Sequence, residues 1–220
     1  MSRNIEFEPE EYYHLYNRGT EKRIIFRHDK DRNRFLASLY VSNGSNTIHA
    51  SNHQALTIPE LLTLDRGEPL VDICAYCLMP NHFHLLVRER TEGGIARFMQ
   101  KLLTGYTMYF NTINERSGAL FQGKYKAEHV DNDRYLKYLI AYIHLNPIQL
   151  IEPRWKEVGL KNRARAEQYL NHYRYSSFLD YCGTEKRAEQ RILNLEALPE
   201  YFVSPNDFRT SVTEWLGFKS

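Results

Sequence analysis

The chain has 220 residues, of which 42% are hydrophobic and 25% charged. That composition suits one globular domain, or one domain with an appendage, and excludes wholesale disorder. No run approaches the roughly 18 apolar residues of a membrane-spanning helix, the polar, acidic start from Met1 to Glu11 does not resemble a secretory signal, and three cysteines imply no disulfide framework, so a reducing cytoplasm is the expected setting.

Tyr12 to Asn17 reads as a strand that ends at the turn Arg18-Gly19. From Lys30 to about Val41, Phe35, Leu36, Leu39 and Tyr40 have helical spacing. Residues 42–70 are rich in Ser, Asn, Gly and Thr and read as a long loop or insertion, a candidate mobile segment, with a short helix around Pro59 to Leu64. Val71 to Leu78 and His82 to Glu89 read as a hairpin turning at Pro80-Asn81. After Gly93 and Gly94, the stripe Ile95, Phe98, Met99, Leu102, Leu103, Tyr106, Phe110 and Ile113 predicts a long helix, weakened locally by Gly105. Gly118 to Gly123 is turn-rich, and Tyr125 to Val130 can form a strand. Asp131 is the expected N-cap of a helix that runs to Asn146 and stops at Pro147. The order β-α-β-β-α-β plus one helix predicts an α+β, ferredoxin-like fold. That fold is a four-stranded antiparallel sheet with two helices on one face and a further tyrosine-bearing helix. Tyr173 to Tyr181 is expected to pack back on it.

The net charge of +2 hides an uneven distribution. Arg18 to Arg34 holds seven basic residues against three acidic, Arg97 to Lys126 five against one, and Arg154 to Arg174 six against two. Such stretches can attract phosphates, or can be ordinary solvated faces.

The strand His82-Phe83-His84-Leu85-Leu86-Val87-Arg88 carries most of the chemical information. Alternation puts Phe83, Leu85 and Val87 on one apolar face and His82, His84, Leu86 and Arg88 on the other. Two imidazoles at i and i+2 can share one metal ion, although two surface histidines would show the same spacing. On the last helix, Tyr142 and Asn146 lie one turn apart on a stripe with Tyr135, Tyr138, Leu139 and Ile143. If that helix crosses the open sheet face, it delivers a phenol and an amide oxygen to the same metal. Cys74 and Cys77, three apart on a strand, should point to opposite faces and read as packed residues rather than a zinc pair.

Four motifs in order resemble the single-tyrosine HUH transposases, and most of all the branch of REP-associated tyrosine transposases. They are Tyr12-Tyr13-His14-Leu15-Tyr16-Asn17-Arg18-Gly19, Leu78-Met79-Pro80-Asn81-His82-Phe83-His84-Leu85-Leu86-Val87, Leu120-Phe121-Gln122-Gly123-Lys124-Tyr125-Lys126 and Tyr142-Ile143-His144-Leu145-Asn146-Pro147. Tyr175-Ser176-Ser177-Phe178 is a weaker echo. The resemblance implies a catalytic domain over 1–150 and an extension over 151–220 packed on or beside it. It implies a metal-dependent endonuclease and strand transferase acting on single-stranded or hairpin DNA with a palindromic repeat, through a 5′-phosphotyrosine intermediate. Tyr142 then matches the nucleophile, and His82 and His84 the metal pair. Asn146 stands where related enzymes carry Gln as third ligand, one methylene shorter. Mg²⁺ or Mn²⁺ is the implied cofactor, although two imidazoles would also suit zinc. His144, on another side of the helix, is a candidate metal-supporting or DNA contact. Arg18, Arg23, Arg88, Lys124 and Lys126 are candidate phosphate contacts, and Phe121 and Tyr125 candidate platforms for unpaired bases. A monomer and a homodimer are both compatible with the resemblance. The competing readings are a domesticated nucleic-acid-binding module of the same fold, a replication-initiation or relaxase enzyme, and a hydrolase without a covalent step.

Overall fold

The strands form where alternation predicts them, and alternation decides what each face of the sheet carries. The computed structural model describes residues 5–48, 53, 56–183 and 186–217. Strands β1 (Tyr12–Arg18), β2 (Val71–Met79), β3 (His82–Glu89) and β4 (Lys126–Val130) make one sheet in the order β2-β3-β1-β4. Every neighbouring pair is antiparallel. With helices α1 (Asp29–Ser42) and α3 (Gly94–Ile113) between the strands, this is the ferredoxin-like order expected from the sequence.

One sheet face is apolar. Tyr13, Leu15, Ile73, Tyr76, Leu78, Phe83, Leu85 and Val87 bury against Phe35, Leu39, Phe98, Leu102 and Tyr106 of α1 and α3. Each such side chain contributes about 1.5–3 kcal/mol when removed from water. The Tyr106 hydroxyl is satisfied by donating to the Ile25 carbonyl at 2.6 Å.

The other face is covered by α4 (Asp133–Leu145) and by the chain that follows it. Asn132, not Asp131, caps α4: its Oδ1 accepts from the Tyr135 amide at 2.8 Å. Leu136, Leu139, Ile140 and Ile143 of α4 form a second core with Cys74, Cys77 and Leu86 of the sheet. Residues from α5 (Trp155–Val158), α6 (Arg163–Leu170), α7 (Phe178–Cys182) and α8 (Pro205–Glu214) complete it, among them Trp155, Leu170, Phe178, Phe208 and Val212. The expected return of Tyr173–Tyr181 takes the form of strand-like pairing along the free edge of β2. Leu78 donates its amide to the Tyr175 carbonyl at 2.9 Å, and Ser177 donates to the Tyr76 carbonyl at 3.0 Å. This covers a sheet edge that would otherwise expose unpaired backbone groups.

A further expectation changes in β2. A bulge between Ile73 and Ala75 shifts the alternation of β2, so Cys74 and Cys77 lie in the same core cluster rather than on opposite faces. Both are buried free thiols. The 42–70 segment is pinned at its base: Asn43 Oδ1 accepts from the Leu70 and Val71 amides at 3.0 Å each, and its Nδ2 donates to the Val71 carbonyl at 2.8 Å. Within it, α2 (Ile58–Leu61) has a capping box between Thr57 and Glu60; residues 49–52 and 54–55 lie outside the described residues.

Candidate active site

The covered face holds a polar enclave between the sheet and α4. In register, His14 of β1 lies opposite Leu86, Tyr16 opposite His84, and Arg18 opposite His82. On its other side β1 meets β4, with His14 opposite Glu128 and Tyr16 opposite Lys126. Three histidines and a glutamate therefore share one face, as the period of two requires.

Helix α4 crosses this face with Tyr142 above the histidines. The Tyr142 ring stands edge-on to the His84 ring, 5.4 Å between centres, and 6.1 Å from that of His14. The rings of His82 and His84 are 5.1 Å apart. Burial is the main reason that both imidazoles stay neutral: His82 is lowered from its ordinary 6.5 to about 4, with Lys156 and Arg18 adding to the effect. His84 falls well below 6.5 through burial, then through its neighbours His14, His82 and Lys156. The Tyr142 phenol is raised by burial and by Tyr138, while the Asn146 side chain acts in the opposite sense.

These imidazoles suit a divalent metal, which binds neutral rings through a bare nitrogen. Asn81 donates Nδ2 to the Lys22 carbonyl at 3.2 Å, which turns its Oδ1 toward His82 Nδ1 at 2.7 Å. That oxygen only accepts, so His82 carries its proton on Nδ1 and leaves Nε2 bare. Lys22 and Glu21 hold left-handed backbone with φ of 61° and 58° to make this contact. Gly19 is required beside them, since a Cβ there would come within 2.3 Å of the Arg23 carbonyl oxygen. Asn146 is 1% exposed, donates Nδ2 to the Tyr142 carbonyl at 2.9 Å and accepts from Gln149 at 3.2 Å. That oxygen has a second lone pair. Among the described residues, no three His, Cys, Asp or Glu side chains converge on a metal position, so a metal here would rest on the two imidazoles and an amide.

The structure adds two residues that sequence reasoning missed. Lys156, from α5, places Nζ 3.9 Å from the centre of the Tyr142 ring, and burial lowers it from 10.5 to about 8. It sits in the third basic stretch, but no spacing in the sequence ties that stretch to Tyr142. His14 lies in a quoted motif, and only the strand register reveals it beside His84.

Of the expected DNA contacts, Arg18 is exposed next to His82 and bonds Gln122. Lys126 is exposed with Nζ 5.8 Å from the Tyr16 ring centre, and Lys124 is exposed nearby. Arg23 lines a surface cavity with Ile24, Phe26, Arg27, Arg32 and Pro80, at the far end of the Gly19 turn. Three expectations meet a different environment. The Arg88 guanidinium is held by Asp72 at 2.8 Å and Glu10 at 2.9 Å rather than facing the histidines. Phe121 is 6% exposed and packs on Phe83 and Tyr106. Tyr125 packs against the core of the opposite sheet face. His144 is fully buried, with Nδ1 2.7 Å from the Ile140 carbonyl and Nε2 2.7 Å from Ser177 Oγ, so it ties α4 to the chain over β2.

Residues 66–146 match the family model described as "Transposase IS200 like". This stretch contains His82, His84, Tyr142 and Asn146. A solved REP-associated tyrosine transposase bound to a REP hairpin is similar in fold, with a TM-score of 0.54 and 10% identity, over 86% of this chain and 90% of that one. A tRNA(His) guanylyltransferase from Saccharomyces cerevisiae aligns at a TM-score of 0.38 and 13% identity, over 93% of this chain and 85% of that one. No curated protein matches the chain.

Proposed function

Taking as premise the transposase family match over residues 66–146 and the likeness in fold to a REP-associated tyrosine transposase, we propose that this protein cuts and rejoins single-stranded or hairpin DNA with Tyr142 as nucleophile. The observation that carries the reading is the crossing of α4 over the sheet, which sets the Tyr142 ring edge-on to His84 at 5.4 Å.

His82 and His84, with the remaining lone pair of Asn146, would hold a divalent ion, Mg²⁺ or Mn²⁺. When bound, such an ion supplies Lewis-acid polarisation of the scissile phosphate. Tyr142 is poorly ionised at neutral pH, since burial raises its phenol above the ordinary 10. Its oxygen attacks phosphorus as the phenol loses its proton. The bond from phosphorus to the 3′ oxygen breaks, that oxygen takes up a proton, and the strand is left joined through a 5′-phosphotyrosine. The bond energy of the phosphodiester is kept, so rejoining is the same exchange in reverse. Lys156 stabilises negative charge near the ring, and Arg18, Lys124 and Lys126 grip backbone phosphates.

The test is a covalent adduct. A hairpin-bearing single strand labelled at its 3′ end, incubated with the protein and Mn²⁺, should give a labelled protein band that survives denaturing electrophoresis. Tyr142→Phe should abolish the band and leave DNA affinity within about twofold. A band that survives in Tyr142→Phe removes Tyr142 from this role. Tight binding without an adduct under either metal favours a binding module of the same fold.

A further inference from the structure

His84 is fastened by a neighbour that no sequence motif assigns a task. His14 Nε2 lies 2.9 Å from His84 Nδ1, and both residues are buried. Two ring nitrogens at that distance share one proton: one ring donates N–H and the other accepts with a lone pair. The structure contains what decides the direction. The second nitrogen of His14, Nδ1, is buried without a hydrogen bond and faces the carboxylate of Glu128, with Oε2 at 3.8 Å.

Glu128 is itself fixed as a carboxylate. It receives the Tyr16 hydroxyl at 2.7 Å on Oε1 and the Tyr135 hydroxyl at 3.1 Å on Oε2. Burial is the largest single influence and would raise its pKa, but those two hydrogen bonds and the neighbouring His14 together keep it below the ordinary value. A bare ring nitrogen aimed at this carboxylate would set lone pair against negative charge. The favourable arrangement puts the His14 proton on Nδ1 and leaves Nε2 as the acceptor. His84 must then donate from Nδ1, and its own Nε2 is bare.

We infer that Glu128 and His14 form a positioning pair that locks His84 in the Nδ1–H tautomer and presents its Nε2 to a divalent metal ion. The inference rests on the metal-centre reading proposed above, and it parallels on His84 what Asn81 does for His82. Metal-bound histidines generally gain orientation and basicity from such a partner on their other nitrogen, and its loss weakens metal binding by about 10–100-fold. His14 acts through His84 and is not itself assigned as a ligand.

Long-range proton–nitrogen correlation NMR of the metal-free protein, with ¹⁵N-labelled histidine, reads the tautomers directly. His84 and His14 should both appear as Nδ1–H, with His84 Nε2 bare. In His14→Phe, His84 should lose its single tautomer, and Mn²⁺ titrated by electron paramagnetic resonance should bind about 10–100-fold more weakly. Glu128→Gln, at a partly exposed position that preserves the fold, should shift both readouts in the same direction by a smaller amount. A wild-type His84 protonated on Nε2 overturns the proposal and leaves the metal centre standing. So does Mn²⁺ affinity unchanged in both variants. A Mn²⁺ complex whose spin-echo modulation counts three ligated imidazoles overturns it in favour of His14 as a ligand. If the wild-type takes up no Mn²⁺, the metal-centre reading falls first and this proposal falls with it.

Discussion

The ammonium of Lys156 stands 3.9 Å from the centre of the Tyr142 ring, delivered by a different helix. A cation over an aromatic face is attracted by about 0.5–2 kcal/mol, more where water is excluded. With its pKa lowered to about 8, Lys156 remains mostly protonated at pH 7. In the proposed reaction its charge would offset that of an arriving phosphate. Lys156→Met is expected to slow adduct formation about tenfold, or ~1.4 kcal/mol, while Lys156→Arg keeps most of the rate. Single-turnover kinetics at saturating DNA measures this, and an unchanged rate in Lys156→Met removes it from the reaction.

Phe121 separates packing from base stacking. Its ring meets Phe83 at 6.0 Å and Tyr106 at 6.4 Å inside the first core. Phe121→Ala should therefore cost about 3–5 kcal/mol of stability, seen as a lower urea midpoint. DNA affinity, measured at a temperature where the variant is folded, should stay the same. A stable variant with lost affinity would restore the stacking role.

Salt dependence sorts the basic residues. Each phosphate contact to a single strand contributes about 0.7 to the slope of log affinity against log salt. Lys124→Ala and Lys126→Ala, both exposed, should each flatten the slope by about that amount. Arg88→Ala should leave it unchanged, because that guanidinium is occupied by Asp72 and Glu10. It should instead lower stability, since Asp72 is 2% exposed and would lose both Arg88 bonds to its Oδ2, with Arg90 and Asn194 remaining on Oδ1.

His144 predicts a pH signature. Burial lowers it to about 4, whereas in the unfolded chain it titrates near 6.5. Above 6.5 neither state binds the proton and stability is unaffected. As pH falls from 6.5 toward 4, the unfolded state takes up a proton that the folded state refuses. Stability then drops by as much as about 1.4 kcal/mol per pH unit from this group, levelling off below 4. Urea unfolding at stepped pH should show a shallower decline in His144→Gln than in the wild type over that window. Parallel declines would mean that His144 is not the group responsible.

Strand and helix placement was legible because alternation and three-and-four spacing are local properties. The faces of β3 follow from the alternation of its own residues, so His82 and His84 were readable as a pair. The bulge in β2 was not, because no Gly or Pro marks it and its effect is a change of register against β3. Arg88 shares a face with the histidines in the sequence, but Asp72, opposite it on β2, claims its charge. His14 and Lys156 depend on pairings between distant segments, which periodicity does not encode. The cap of α4 moved by one residue because Asp131 and Asn132 are both good caps and only backbone geometry chooses between them.

The fastening of α4 bears on how copies of the protein could cooperate. Asn132 caps its start, its middle lies in the second core, and His144 clasps Ser177 near its end. Here Tyr142 sits over imidazoles of its own polypeptide, and lending the helix to a second molecule would give up its core contacts and the His144–Ser177 clasp. A mixture of two crippled proteins, one Tyr142→Phe and the other His84→Ala, should consequently stay as inactive as either alone. Recovery of the adduct in the mixture would reveal helix exchange between partners.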